Sequence, residues 1–385
     1  MFNNVVVEKL LRYKTPFYYY DTSLLEKTLE LYTSELKRYG FEGHYALKAN
    51  ANDHIVKRIK SYSLGVDCVS GGELKLAIDH NFDREKIVFA GVGKRDWEIE
   101  LAIGEAIFSI NCESIPELKV VESIAAKMNR RAAVSLRINP DIEVDTHHYI
   151  TTGRAQNKFG IVLPHLPQAI EVLKESPNLD FIGLHFHIGS QICNLSTFER
   201  LIEKVNEIVQ LFKNNSLTVR ELNMGGGLGV DYNDPHLNPI ANFSSYFSLF
   251  NKKLKREAHQ RVHFEPGRAI VAQSGSLISR ILFVKKGIQR DFIILDAGMN
   301  DFMRVALYQS HHQILNLSSK EPHVEYDVAG PVCESSDLFG TSISLPQSSR
   351  GDLIAIRSTG AYGQVMAMEY NMRERAPEIY SHLIL

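Results

Sequence analysis

The chain has 385 residues, of which 44% are apolar and 23% charged, with a formal net charge of −2. That length allows one large domain plus a smaller one, or two comparable ones, and the composition is that of a folded globular protein, not a disordered or fibrous one. Near-neutral charge gives no electrostatic footprint for nucleic acid or an anionic membrane, and no run is long enough to cross a bilayer, so a cytoplasmic protein is expected. Cys68, Cys112, Cys193 and Cys333 are widely separated with no CxxC, which argues against a zinc knuckle or a disulfide framework.

In chain order, an amphipathic helix is predicted after the cap-like Asp21-Thr22-Ser23. β-Type runs follow near 42–48, 64–69, 86–90, 106–110, 132–138, 180–187, 218–224 and 261–265. Helix-like segments lie between them at 71–80, 94–104, 114–128, 165–176, 196–213 and 242–258. Eight strands alternating with helices is the count of a closed (β/α)8 TIM-like barrel, an α/β fold, with an open doubly wound sheet as the alternative. Beyond residue 265 the pattern becomes alternating in ISRILFVKKGIQ, DFIILDAG, HVEYDVAGP, GDLIAIRSTGAYG and VMAMEY, which predicts a C-terminal antiparallel β-domain. The TPFYYYD run reads as a strand that returns to join it. The expected division is a barrel over 22–264 and a β-domain over 265–385, joined by an N-terminal strand in 1–21.

Barrel enzymes place their sites at the C-terminal ends of the strands. Here strand 1 ends on Lys48, strand 2 near Asp67, strand 5 at Arg137, strand 6 at His187, strand 7 at Gly225, Gly226 and Gly227, and strand 8 at Glu265. Alternation gives His44, Ala46 and Lys48 one face, as it does Gly183, His185 and His187, and Arg261, His263 and Glu265. Ionisable groups therefore converge on one mouth, whereas a lone lysine past a strand is ordinarily a solvated charge. A desolvated lysine amine near other cations has a lowered pKa and condenses with aldehydes. A carboxylate such as Glu265 can keep a pyridinium nitrogen protonated, the state in which pyridoxal phosphate acts as an electron sink. Glycine amides at 225–227, with Ser190 of HIGSQ, can cradle a phosphate, and His187 can stack on a ring.

Together these groups describe a pyridoxal phosphate site better than any other common cofactor site. His185-x-His187 as metal ligands, His185 as a satisfied core histidine, GGGLG as a plain flexible turn and Asp67 as a solvated loop acid remain open at this point. The glycine run fails the GxGxxG and Walker patterns, and no GxSxG elbow exists.

TPFYYYD (15–21), YALKAN (45–50), GVDCVSGGEL (65–74), HFHIGSQI (185–192), NMGGGLGVDY (223–232), EPGR (265–268), DAGMNDFMRVALY (296–308), GPVCESSD (330–337) and GAYGQVMAMEYNMRERAPE (360–378) occur in that order. Through these segments, and over essentially its whole length, the chain resembles the alanine-racemase-fold decarboxylases that use pyridoxal phosphate. The resemblance implies that Lys48 is the cofactor's Schiff-base lysine, that His187 stacks on its ring and that Glu265 pairs with its nitrogen. It gives Ser190, Gly225, Gly226, Gly227, Gly267, Arg268 and Tyr362 to the phosphate end, with Arg137 and Asp67 bracing the cofactor. It makes Cys333 the proton donor to the substrate carbon, supplied by the neighbouring subunit of a homodimer with shared active sites. Two departures affect loops: the family more often has Pro where Val305 stands, and Ile-Pro where this chain has Val230-Asp231.

Among amino-acid substrates, ornithine and lysine end in a lone ammonium, whereas meso-diaminopimelate presents a second carboxylate and ammonium. Arg268 and Arg304 offer guanidinium forks for that carboxylate, Glu334 can accept from the ammonium, and Tyr308 and Tyr362 complete the set. The expected reaction is loss of CO2 from meso-diaminopimelate to give L-lysine, the last step of lysine biosynthesis. An ornithine- or arginine-type decarboxylase of the same fold is the alternative.

Overall fold

A computed structural model describes residues 2–143 and 157–384. The chain divides into two compact units, one of Leu29–Gly229 with Asn242–Gly267, the other of residues up to Thr28, Val230–Ala241 and those from Arg268 onward.

The first unit is a parallel barrel of β1 (Glu42–Ala46), β2 (Gly65–Cys68), β3 (Ile87–Phe89), β4 (Ser109–Cys112), β5 (Ala132–Asn139), β6 (Leu179–Phe186), β7 (Glu221–Asn223) and β8 (Arg261–Phe264). Each strand pairs in parallel with its sequence neighbours. β8 closes onto β1 through His263↔Glu42 and Phe264↔Gly43, which decides for the closed barrel over the open sheet. A two-residue strand, Ile161–Val162, lies beside the end of β5.

Local sequence explains how the strands hand over to helices. Ser70 and Ser114 each accept the backbone N–H of the glutamate three residues on, at 3.2 Å. The same glutamates, Glu73 and Glu117, reach back to the N–H groups of Val69 and Glu113. This reciprocal capping starts the helices Gly71–Asp79 and Ile115–Lys127 directly after β2 and β4. An aromatic cluster of Tyr32, Phe243, Phe247, Phe250 and Phe264, with ring centroids 4.8–6.2 Å apart, packs helices against β8.

The second unit is an eight-stranded sheet in the order Ile314–Asn316, Leu353–Arg357, Gly275–Lys285, Asp291–Leu295, His323–Ala329, Leu338–Pro346. Phe17–Tyr20 pairs antiparallel with Gly275–Ile278 and parallel with Glu378–Tyr380. Asp291–Leu295 also runs parallel to His323–Ala329, so the sheet is mixed where a wholly antiparallel one was expected. The chain between those two strands passes through the helix Arg304–Tyr308 and the strand Ile314–Asn316, a crossover that brings it back in the same direction. Ahead of Phe17–Tyr20 the chain forms a helix, Asn4–Leu10, capped by Asn3. Val6, Leu10, Phe17, Tyr19, Ile278, Leu353 and Ala355 form this unit's buried cluster. Among the described residues no helix is long and apolar enough to cross a membrane.

Candidate active site

β1 ends at Ala46, and Lys48 sits in the one-turn 3-10 helix Leu47–Ala49, so the turn and not strand alternation sets its direction. The asparagines after it fix that turn. Asn50 accepts the N–H of Asn52, Asn52 caps the helix Asp53–Lys60 through the N–H of His54, and Tyr45 donates to the Asn50 carbonyl. The Lys48 amine, about one-third exposed, donates to Oδ2 of fully buried Asp67 on β2 at 2.5 Å. Across the β8–β1 seam the Ala46 N–H reaches the Pro266 carbonyl. A Cβ on Gly267 would lie 2.8 Å from Ala49 and 3.1 Å from Ala46, so this glycine lets the Glu265 loop lie against the Lys48 turn.

Glu265 is buried, and both carboxylate oxygens are engaged: Oε2 by His185 Nε2 at 2.8 Å, Oε1 by Asn223 Nδ2 at 2.5 Å. Its backbone N–H donates to the Gly225 carbonyl. Gly225 has φ +66°, and a Cβ there would meet the Phe186 carbonyl at 2.2 Å. At Gly226 and Gly227 the corresponding contacts are the Glu265 carbonyl at 2.4 Å and the Gly189 carbonyl at 2.7 Å. The turn is thus backbone packed on backbone from three strand ends, with His187 Nδ1 accepting the Gly226 N–H at 3.2 Å.

Burial drives His187 well below its ordinary value, helped by the Arg137 and Lys48 charges, so its ring is neutral. Burial pushes Glu265 upward, but His185 and Lys48 outweigh it and hold the carboxyl far below the usual carboxylate range. Burial raises Asp67 against the pull of Lys48. The Ala46–Pro266 bond and the close approach at Gly267 set the Lys48 turn and the Glu265 loop side by side at one mouth of the barrel.

Arg137 lies near the end of β5, where its guanidinium binds Glu113 at 2.8 Å and stands 4.7 Å over the Phe159 ring. Ser190 is half-buried in the loop after β6.

In the second unit Arg268 and Arg304 are both about 95% buried. Arg268 donates to the Tyr232 hydroxyl at 2.5 Å and lies 4.9 Å over the Tyr362 ring. Arg304 lies 5.3 Å over Tyr308 and 5.5 Å over Tyr362, and among the described residues it has no carboxylate partner, its Nε unbonded. Burial and Arg268 lower its pKa. Cys333 and Glu334 are exposed, held by the neighbouring residues Asn371 and Tyr370: the Cys333 N–H donates to Asn371 Oδ1 at 3.1 Å, and Tyr370 donates to Glu334 at 2.6 Å. The two departures are absorbed locally. Val305 is in the first turn of its helix, where a proline is equally tolerated. Asp231 accepts the N–H groups of Asn233 and Asp234, building with a side chain the turn that a proline would impose.

Asn223 and Glu113 were not singled out from sequence. An asparagine two residues before a positive-φ glycine is an Asx-turn signal that would have found the first. Glu113 accepts from Arg137 and from the N–H groups of Gly91 and Gly160, an arrangement with no local signature.

The mouth suits pyridoxal phosphate. Asp67 Oδ1 and His185 Nδ1 are buried polar atoms with no hydrogen-bond partner among the described residues. The three glycines bring backbone where any side chain would intrude, and an amine, a neutral imidazole and a carboxylate supply the groups that a charged aromatic aldehyde needs.

Comparison with known proteins agrees. The family described as pyridoxal-dependent decarboxylase, pyridoxal binding domain, matches residues 22–272. The chain is 50% identical over 369 residues to a diaminopimelate decarboxylase of Bacteroides thetaiotaomicron, covering 96% of each chain. It is 38% identical over 366 residues to that of Neisseria meningitidis serogroup B, covering 95% of this chain and 87% of the other. The crystal structure of the Helicobacter pylori diaminopimelate decarboxylase complexed with L-lysine superposes with a TM-score of 0.92 at 38% identity, over 97% of this chain and 93% of that one. With the barrel, the glycine turn and the Lys48–Asp67 and Glu265–His185 pairs already in place, these matches establish that the chain belongs to the pyridoxal-dependent decarboxylases, within the diaminopimelate decarboxylase family.

Proposed function

We propose that this protein removes CO2 from meso-2,6-diaminopimelate to give L-lysine, the last step of lysine biosynthesis, as a cytoplasmic enzyme that uses pyridoxal phosphate. The observation that carries the substrate choice is Arg304, a buried guanidinium with no carboxylate partner among the described residues. A substrate with a distal carboxylate supplies the missing anion, and ornithine does not.

When bound, pyridoxal phosphate supplies an electron sink for the pair left behind as CO2 departs. Lys48 is the amine that would hold it, with Asp67 orienting that amine. Glu265, ionised, would keep a proton on the ring nitrogen, and the neutral His187 ring would lie flat against the cofactor. Gly225, Gly226, Gly227, Ser190, Gly267 and Tyr362 would serve the phosphate end, where backbone N–H groups favour an anion. Arg268 and Arg304 bind the distal carboxylate, with Tyr308 and Tyr362 packed on their guanidinium faces, and Glu334 takes the distal ammonium. Cys333 delivers a proton to the substrate carbon after CO2 leaves, each copy of a homodimer lending its cysteine to the other's site. Arg137 acts through Glu113 on the loops it ties together.

The test is CO2 release from diaminopimelate, ornithine and arginine by the same holoenzyme. Diaminopimelate is expected to be turned over at least a hundredfold faster, the discrimination that a buried, unpaired hydrogen-bonding group provides. Equal rates with ornithine would remove the role given to Arg268 and Arg304.

A further inference from the structure

Asn223 is 5% exposed and sits at the end of β7, immediately before the glycine turn. Its side-chain amide bridges two parts of the site: Nδ2 meets Glu265 Oε1 at 2.5 Å, and Oδ1 accepts the Gly225 N–H at 2.9 Å. A backbone N–H is only a donor, so the second bond fixes which end of the amide is oxygen and leaves NH2 facing Glu265. A donor there favours the ionised form of the carboxylate. His185, 2% exposed, engages the other oxygen at 2.8 Å. Each carboxylate oxygen has two acceptor positions, so one on each remains for a further donor. A second link runs between the same two segments, from the Glu265 N–H to the Gly225 carbonyl at 2.7 Å.

We infer that Asn223 is a positioning residue for Glu265: anchored on the Gly225 N–H, its amide donates to the ionised Glu265 carboxylate and, alongside the backbone link, keeps that carboxylate in register with the glycine turn, between the ring-nitrogen end and the phosphate end of the site. This rests on the pyridoxal phosphate reading above. Asn223 itself touches neither cofactor nor substrate in this assignment. Its effect passes through Glu265, with His185 as the partner clamp on the far oxygen.

Asn223→Asp separates the two halves of the bridge. It keeps the acceptor for Gly225 and replaces the donor with a second carboxylate beside Glu265, where two negative charges at that spacing force one to take a proton. Apoprotein is titrated with pyridoxal phosphate by visible absorbance, and the reconstituted enzyme is assayed with diaminopimelate. The expected result is a cofactor Kd weakened about tenfold and a kcat lowered about ten- to hundredfold, with KM for diaminopimelate within threefold of wild type, the scale of a lost charge-assisted hydrogen bond. Melting of the apoproteins checks that each variant is folded, and Asn223→Ser, whose hydroxyl can accept the Gly225 N–H in an ST turn but is too short to reach Glu265, replaces Asn223→Asp if the latter is not.

The decisive arm is the Glu265→Ala background. With no carboxylate to position, Asn223→Asp is expected to change the cofactor Kd less than twofold there. A tenfold loss in that background would mean that Asn223 acts through the glycine turn alone, and would overturn the inference. So would a Kd and kcat unchanged by Asn223→Asp in a wild-type background where Glu265→Ala weakens both. A wild-type protein that takes up no pyridoxal phosphate would remove the underlying reading as well, and is distinguishable from either. As a conservative check, His185→Gln, which keeps a donor at the Nε2 position, should retain cofactor affinity within threefold, whereas His185→Leu should lose about tenfold.

Discussion

Replacing Arg304 with methionine should make the unliganded protein more stable and the enzyme worse. Arg304 is 5% exposed, and among the described residues it has no carboxylate partner and its Nε is unbonded; its guanidinium faces the rings of Tyr308 and Tyr362, 5.3 and 5.5 Å away. Two cation–π contacts at these separations, near the outer limit of about 6 Å, give about 1 kcal/mol each, about 2 kcal/mol together. An unpaired buried cation costs several kcal/mol after relaxation, and Arg268 adds repulsion, which is why the guanidinium pKa falls. Methionine fills similar length without charge, so Arg304→Met should gain about 1–3 kcal/mol in the free protein, read as a rise of about 1–4 °C in melting temperature. The same change removes the partner of the distal carboxylate, a loss of about 2–5 kcal/mol and hence at least thirtyfold in kcat/KM for diaminopimelate. Ornithine has no such carboxylate, so its slow turnover should be almost unaffected. Thermal unfolding of the unliganded protein, and steady-state CO2 release by the holoenzyme with both amino acids, measure the two effects. A lower melting temperature together with diaminopimelate kinetics within threefold of wild type would refute the reasoning on both counts.

Gly225→Ala must place a side chain at φ +66° and 2.2 Å from the Phe186 carbonyl, so it should destabilise the barrel by about 2 kcal/mol or more and weaken pyridoxal phosphate binding beyond tenfold, measured by melting and absorbance titration. His44 donates Nδ1–H to the Lys86 carbonyl and meets His263 through Nε2, and burial lowers its pKa to about 3. Burial does the same to His312 in the other unit. Both stay neutral when folded but take a proton near pH 6.5 when unfolded, so stability contributed above pH 6.5 is lost as pH falls toward 3, on the order of 5 kcal/mol per histidine. His44→Asn, which keeps the bond to Lys86, should reduce the pH slope of denaturant-measured stability over that window by one proton; an unchanged slope would exclude His44 as a source. Tyr370→Phe removes the donor to Glu334 and is expected to raise KM for diaminopimelate about three- to tenfold, with stability within about 0.5 kcal/mol because Tyr370 is exposed; an unchanged KM would show that Glu334 needs no such support.

All eight barrel strands were legible because a buried parallel strand is written as a short apolar run bounded by helix caps, and Ser70 and Ser114 mark such caps. The residues at strand ends were legible for the same reason: once the strands are counted, topology brings Lys48, Asp67, His187, Gly225 and Glu265 to one mouth. Alternation alone misjudged how Lys48 is presented, since β1 stops at Ala46 and a 3-10 turn fixed by Asn50 and Asn52 takes over. What stayed hidden depends on pairing between distant positions. Asn223 meets Glu265 across 42 residues and Glu113 meets Arg137 across 24, and neither separation leaves a local trace. The parallel pairings of the second sheet were hidden likewise, because alternation reports that a strand exists and says nothing of its neighbour's direction.

If Lys48 and Glu265 take opposite ends of a single cofactor, borohydride reduction of the pyridoxal phosphate-loaded protein followed by peptide mass spectrometry reads it out at the lysine. One pyridoxyl-phosphate adduct per chain is expected, on Lys48, with Glu265→Ala loading more weakly but labelling the same residue. An adduct on a different lysine, or stoichiometric labelling that survives Lys48→Ala, would contradict it.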